Sequence, residues 1–364
     1  MVTRLGACIA FGLTLVAVAC DPAVPTSIPT APASPSSTAL PPRARPGPSP
    51  QLRPDGYDPV AENAACGRCH PVIAAEWEGS LHQRAWDDEL FLAAYAVEPI
   101  AFCRGCHAPE VEAGDERSTP SRHLGVGCVT CHVLGAEILG VTARGPAPEA
   151  HAVVATPAIG GDAWCGGCHQ FDFPEPQAAP MQGTLGEHAA SPHRAETCQH
   201  CHMPVVDGPR GPHRDHRFAV QADPERLRAA VVASARQRDE RNLVVTLRAE
   251  GVGHAMPTGD IFRRLEVRAF AAEDNTARPV VLARRFQPAP APHGGMQRLQ
   301  VGDDRLPASG APVEVELFFL RPPVPPIRWE VAYQRMGPSE AAVFGVDLSA
   351  DETIVASGSI EPER

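Results

Sequence analysis

Five times the chain spells Cys-x-x-Cys-His: Cys66/Cys69/His70, Cys103/Cys106/His107, Cys128/Cys131/His132, Cys165/Cys168/His169 and Cys198/Cys201/His202. Two thiols at this spacing sit one turn apart on one side of the backbone. Both can then add across the vinyl groups of a single porphyrin, and the His that follows reaches the iron from the proximal side. This is the attachment signature of haem c. Zinc ribbons use such pairs two at a time, four thiolates per metal, and five is an odd number for that plan. A redox dithiol needs one pair, not five. With 15 His in 364 residues, five chance placements after the second Cys have a probability of roughly 10⁻⁷. Five covalent haems between Cys66 and His202 are therefore expected.

Ten of the 12 Cys stand in these motifs, which leaves Cys8 and Cys20. Both lie in an N-terminus that reads as an export signal. Arg4 supplies the positive start, and the apolar run from Leu5 to Ala19 is too short to span a bilayer comfortably. Small residues ending in Ala19-Cys20 resemble the lipobox of bacterial lipoproteins, in which the Cys is lipidated. Residues 1–19 are thus expected to be a lipoprotein signal peptide and acylated Cys20 a stable anchor in the cell envelope, the alternative being an ordinary cleavage site near Ala19 with plain secretion. A stretch rich in Pro, Ser, Thr and Ala follows and predicts an extended tether over 20–56. No Cys remains for a structural disulfide.

The 32 basic residues are all Arg. Without Lys, Schiff-base catalysis and a Lys-ligated haem are both excluded. The net charge of -11 argues against nucleic acid and favours basic redox partners.

Sixth ligands are expected from the other His, since neutral imidazole suits iron and bis-His ligation leaves no open position. Glu76 to His82 and Glu187 to His193 share a Glu-to-Ser-to-His pattern. His123 and His193 each stand five residues before a motif Cys. This predicts an internal duplication of the second–third and fourth–fifth motif pairs. Distal roles are expected for His82, His123, His193, His216 and His254, with His151 and His213 in reserve. His188, His200 and His293 read as surface residues. Met181 and Met256 are the Met residues that could ligate. Asp303, Asp304 and Arg305 read as a solvated turn.

The segments WEGSLH (Trp77 to His82), HLGVGCVTCH (His123 to His132), CGGCHQF (Cys165 to Phe171), SPHRAETCQHCHMP (Ser191 to Pro204) and GHAMPTGD (Gly253 to Asp260) resemble the cytochrome c554-like multihaem c-type cytochromes, a group related to hydroxylamine oxidoreductase-type haem domains. The resemblance covers roughly residues 60–270. It implies that the His after the first motif ligates a later haem, which supports His82. The c554 type carries four haems, one of them five-coordinate, so its ligand map does not transfer whole to a chain with five motifs.

The expected fold is α + β and multidomain: a mostly helical, loop-rich cytochrome domain over 57–222, then a linking helix and a β-sandwich over 223–364. Helical spacing runs from Ala85 to Val97 and stops at Pro99. Asp223-Pro224-Glu225 starts a second helix, expected to reach about Arg238. Period-two alternation then takes over at Leu243/Val245/Leu247, Leu265/Val267, Val313/Val315/Leu317/Phe319 and Trp329/Val331/Tyr333. The expected function is electron transfer between other redox proteins or a membrane quinol-oxidising complex. The alternative is a haem oxidoreductase acting on a small nitrogen or sulfur compound at one five-coordinate haem, with the haem of His107 as the open site. The crosslinked Tyr of hydroxylamine oxidoreductase finds no counterpart beside a motif, since the chain has only Tyr57, Tyr95 and Tyr333. A protein that uses haems only as fold staples is the third possibility.

Overall fold

Each haem motif sits on a short helix, because its two thiols must share one helical turn. In the computed structural model these are α1 (Pro59–Cys69), α4 (Ala101–His107), α6 (Cys128–His132), α7 (Asp162–His169) and α9 (Cys198–His202). The connecting helices are α2 (Pro71–Trp77), α3 (Glu89–Val97), α5 (Thr119–His123) and α8 (Thr184–Ala189). The structure describes residues 53, 56–111, 119–145, 151–172, 180–218, 223–272, 275–290, 296–348 and 352–362. The expected signal peptide, Cys20 and most of the tether lie outside them. No described helix is long and apolar enough to cross a membrane.

Local chemistry sets the helix starts. The Asp58 carboxylate accepts from the N–H groups of Val60 and Ala61, with Pro59 in the first turn. Asp88 caps α3 through the Phe91 N–H, so this helix begins at Glu89 and not at Ala85 as its apolar spacing suggested. Between the helices run short strands: β1 (Val133–Leu134), β2 (Glu137–Gly140), β3 (Val154–Ala155), β4 (Gln170–Asp172), β5 (Pro180–Gly183), β6 (Val205–Val206) and β7 (His213–Arg214).

After α10 (Pro224–Ala229) the chain turns to strand. Asp223 caps α10 as expected, but the helix ends at Ala229 and not near Arg238. Val231, Ala233 and Ala235 alternate with more exposed neighbours, and this period-two pattern forms β8 (Val231–Gln237). The remaining strands are β9 (Asn242–Ala249), β10 (Arg264–Ala272), β11 (Asn275–Thr276), β12 (Val280–Leu282), β13 (Arg284–Pro290), β14 (Met296–Asp303), β15 (Val313–Phe318), β16 (Ile327–Gln334) and β17 (Glu352–Ile360). One sheet runs β15-β9-β8. The other runs β11-β10-β16-β17, with β12 also on β10, and β13-β14 form a separate hairpin. Leu243, Val245 and Leu247 of the first sheet and Leu265, Val267 and Val331 of the second meet in one core with Phe319. Two sheets sharing an apolar layer make a sandwich. The fold is thus α + β, as expected.

The haem-motif half has little apolar core of its own. Among the described residues its one separate buried cluster is Leu139 with Trp164. The two halves lock together through polar and apolar contacts. Arg335 reaches Asp88 at 2.8 Å, Arg284 donates to the Met181 carbonyl at 2.8 Å, and Leu90 of α3 packs with Met336 and Ala341 of the short helix α11 (Pro338–Phe344).

Candidate functional site

One cavity of about 2170 Å³ runs through the molecule, and all ten motif Cys and all five motif His line it. Single-ligand pockets span roughly 300–1,000 Å³, so this space is sized for several groups. Its lining places the motifs in a definite order. The thiol of Cys66 contacts that of Cys128, Cys106 contacts Cys168, and Cys165 contacts Cys198. Cys131 faces Trp164 and feels the charge of Cys165. The first motif therefore adjoins the third, the third adjoins the fourth, and the fourth adjoins both the fifth and the second.

A repeated capping contact underlies two of these neighbours. The Cys128 N–H donates to Asn63 Oδ1 at 2.7 Å, and the Cys198 N–H donates to Asp162 Oδ1 at 2.7 Å. Asn63 and Asp162 each stand three residues before the first Cys of the preceding unit's motif. The repeat thus joins the first motif to the third and the fourth to the fifth, with the second inserted. This corrects the expected pairing of the second with the third.

Four motif His have another imidazole opposite. Ring centres are 6.2 Å apart for His70–His151, His82–His169 and His202–His254, and 6.4 Å for His132–His216. Two imidazole nitrogens at about 2.0 Å from one metal, with each ring centre just beyond, give roughly 6.3 Å. These gaps fit an iron between each pair. Hydrogen bonding selects the nitrogen left for it. The Nδ1 of His107, His132, His151, His216 and His254 each lies 2.6–3.1 Å from a backbone carbonyl, which can only accept. Nδ1 therefore carries the proton, and Nε2 is free to ligate. Burial pushes the His82 imidazole down to about 3 and that of His202 to about 4, with nearby imidazoles adding to both. Both rings are neutral, as iron ligation requires.

The proposed distal residues divide. His82, His216 and His254 face a motif His, and so does the reserve residue His151. His123 and His193 do not: His123 Nδ1 is 2.6 Å from Asp87, and His193 Nδ1 is 3.4 Å from Glu196. His213 instead contacts Glu76 at 2.9 Å. His188, read as a surface residue, is only 14% exposed and has both ring nitrogens within 2.9 Å of carbonyls, those of Gly253 and Glu196. Met256 packs into the sandwich core. His107 has no imidazole opposite among the described ring pairs; Phe91 stacks on it at 3.6 Å.

Other residues of the site gave no local signal. Phe218 holds a left-handed backbone, φ 48°, and sets its ring 4.1 Å from His82 and 6.0 Å from His216. Such a conformation in a bulky residue costs on the order of 1–3 kcal/mol and persists where the surroundings impose it. Gly125, at φ 57°, lies so close to the carbonyls of His82 and Gln83 that a Cβ would collide with them. Arg305 is buried, not a solvated turn, and binds Glu187 at 2.7 Å.

Cavity, thiols and imidazole pairs together define a multihaem c-type cytochrome, a protein that carries electrons on haem c. The family described as cytochrome c554 and c-prime matches residues 65–133, the stretch that holds the first three motifs, and the chain is similar to that group there. No curated protein matches the sequence. Among solved structures, a penta-haem cytochrome c552 from Thermochromatium tepidum is similar at 21% identity and a TM-score of 0.64, over 83% of this chain and 100% of that one. At that identity the likeness is one of fold.

Proposed function

We propose that the protein binds five haems c and relays electrons through them at the cell envelope. The observation that carries this reading is the single cavity lined by five attachment motifs and four imidazole pairs spaced for iron. The thioether Cys are Cys66/Cys69, Cys103/Cys106, Cys128/Cys131, Cys165/Cys168 and Cys198/Cys201, with proximal His70, His107, His132, His169 and His202. Distal ligands are His151, His82, His216 and His254. Each haem supplies one-electron chemistry. The protein supplies neutral imidazoles, burial and adjacency, from the first motif through the third and fourth to the fifth, with the second as a branch on the fourth. Partners are other redox proteins or a membrane quinol-oxidising complex.

The lipid anchor at Cys20 would hold this relay on a membrane while the tether lets it reach partners. Cys20→Ser is expected to release the protein into the soluble envelope fraction. Persistent sedimentation of that variant with membranes would end the anchor reading.

A second reading concerns His107. With Phe91 on its ring and no imidazole partner among the described pairs, its haem is the candidate for an open coordination site. That position would admit a small nitrogen or sulfur compound. Carbon monoxide added to the dithionite-reduced protein is expected to bind at one haem in five. No carbon monoxide difference spectrum would mean every iron has two protein ligands, leaving a relay alone.

A further inference from the structure

Two glutamates occupy matching places in the repeat, and neither faces the haem cavity as a ligand. Glu76 lies in the last turn of α2 after the first motif, and Glu187 lies in α8 after the fourth. Both are largely buried, with side chains 11% and 17% exposed. Each uses one carboxylate oxygen to hold a partner and the other to hold the segment bearing a distal His. Glu76 Oε1 is 2.9 Å from His213, and its Oε2 accepts the backbone N–H of His216 at 3.0 Å. Glu187 Oε1 accepts from Arg305 at 2.7 Å, and its Oε2 accepts from the Thr258 hydroxyl at 2.6 Å.

We propose that Glu76 and Glu187 are positioning residues that fix the imidazoles of His216 and His254 against their irons. The inference rests on those two His being distal ligands. The His254 loop shows the device most fully. Thr184, Glu187 and His188 stand at i, i+3 and i+4 on α8 and so share one helix face. Thr184 contacts the Thr258 hydroxyl at 3.0 Å, and His188 donates to the Gly253 carbonyl at 2.9 Å. Arg305 donates to the Pro257 carbonyl at 3.0 Å and is itself held by Asp303 at 2.7 Å. Met256 and Leu306 exchange backbone hydrogen bonds at 2.9 and 3.0 Å. The loop is thereby gripped on both sides of His254. Gln170 Oε1 accepts the N–H groups of Leu185 and Gly186, which seats α8 on the helix bearing the fourth motif.

This grip fixes an angle as well as a distance. The rings of His202 and His254 lie 12° from parallel, against 37–55° in the other three pairs. The angle between axial imidazole planes controls the splitting of iron d orbitals and hence the g-values of low-spin ferric haem. The near-parallel pair should therefore be distinguishable by electron paramagnetic resonance.

The test compares Glu187→Gln and Glu76→Gln in the full-length holoprotein. Each keeps the side-chain volume and all attached haems. Glu187→Gln is expected to shift the g-values of the near-parallel haem alone, together with one step of the redox titration. Glu76→Gln is expected to shift those of the His132/His216 haem instead. Thr258→Val removes the hydroxyl that links the loop to Glu187 and to Thr184, leaves the Arg305 ion pair intact, and serves if Glu187→Gln does not fold. A lower melting temperature with unchanged g-values and potentials would make the glutamates merely structural and overturn the proposal. Changes spread over every haem would overturn it too. His254→Ala separates the two levels of the argument. If it adds no carbon monoxide binding, His254 is not a ligand and the underlying assignment fails. If it does, and Glu187→Gln leaves the spectrum untouched, the positioning role alone fails.

Discussion

Replacing both thiols of the fourth motif, Cys165→Ala with Cys168→Ala, is expected to abolish the folded protein. The same change in the first motif, Cys66→Ala with Cys69→Ala, should yield folded protein one haem short. The difference follows from adjacency. Cys165 contacts Cys198 and neighbours Cys131, while Cys168 contacts Cys106, so the fourth motif meets the second, third and fifth. Among the described residues, the thiols of the first motif meet another motif only at the third. The helix bearing the fourth motif also carries Trp164, half of the one separate apolar cluster in the haem segment, and seats α8. A segment with so small a core depends on its bound groups for folding energy, as small metal-dependent domains do. Haem content by pyridine haemochrome, intact mass and soluble yield together decide the matter. A soluble four-haem product of the fourth-motif variant, with native near-ultraviolet dichroism, would show that the motif is not the keystone.

The motif helices were legible because they are local: five short strings report five helical turns. So were the central strands, where Leu243/Val245/Leu247 and Leu265/Val267 alternate in sequence and face one core. The imidazole pairs were only partly legible, since each joins residues far apart in the chain. Proximity to the next motif favoured His123 and His193. In the fold the side chain of His123 meets Asp87 and that of His193 meets Glu196, and neither has a motif imidazole opposite among the described ring pairs. His151 was held only in reserve, because no motif or repeat in the sequence marks it. Asp223 marks where α10 starts, but a cap carries no information about length, and Val231 with Ala233 and Ala235 was too weak an alternation to announce β8. Arg305 looked solvated in an acidic turn. Only the fold brings Glu187, from the other half of the chain, against it.

His82→Ala is expected to open the haem of the fourth motif, while His123→Ala leaves every haem as it was. The two residues looked alike in sequence, and their environments separate them. His82 is enclosed, faces His169 at 6.2 Å and has the Phe218 ring against its edge. Its backbone is fixed as well: the Val126 N–H donates to the His82 carbonyl at 2.8 Å, and Gly125 passes too close for any side chain. Burial keeps the imidazole neutral, and no other described imidazole lies across from His169. Its removal therefore leaves an apolar gap on that side of the iron. Reduced His82→Ala should bind one more equivalent of carbon monoxide than the parent and gain a high-spin ferric signal. His123, by contrast, has a side chain 53% exposed and an Asp87 partner in solvent, a contact worth about 0–1 kcal/mol. Its variant should match the parent in carbon monoxide stoichiometry and in spin state. Because the fourth motif adjoins three others, the opened iron would also sit on the route from the first motif to the fifth. Stopped-flow reduction should then slow for the haems beyond it in His82→Ala. If the two variants behave alike in all three measurements, the pairing of His82 with His169 across one iron is wrong.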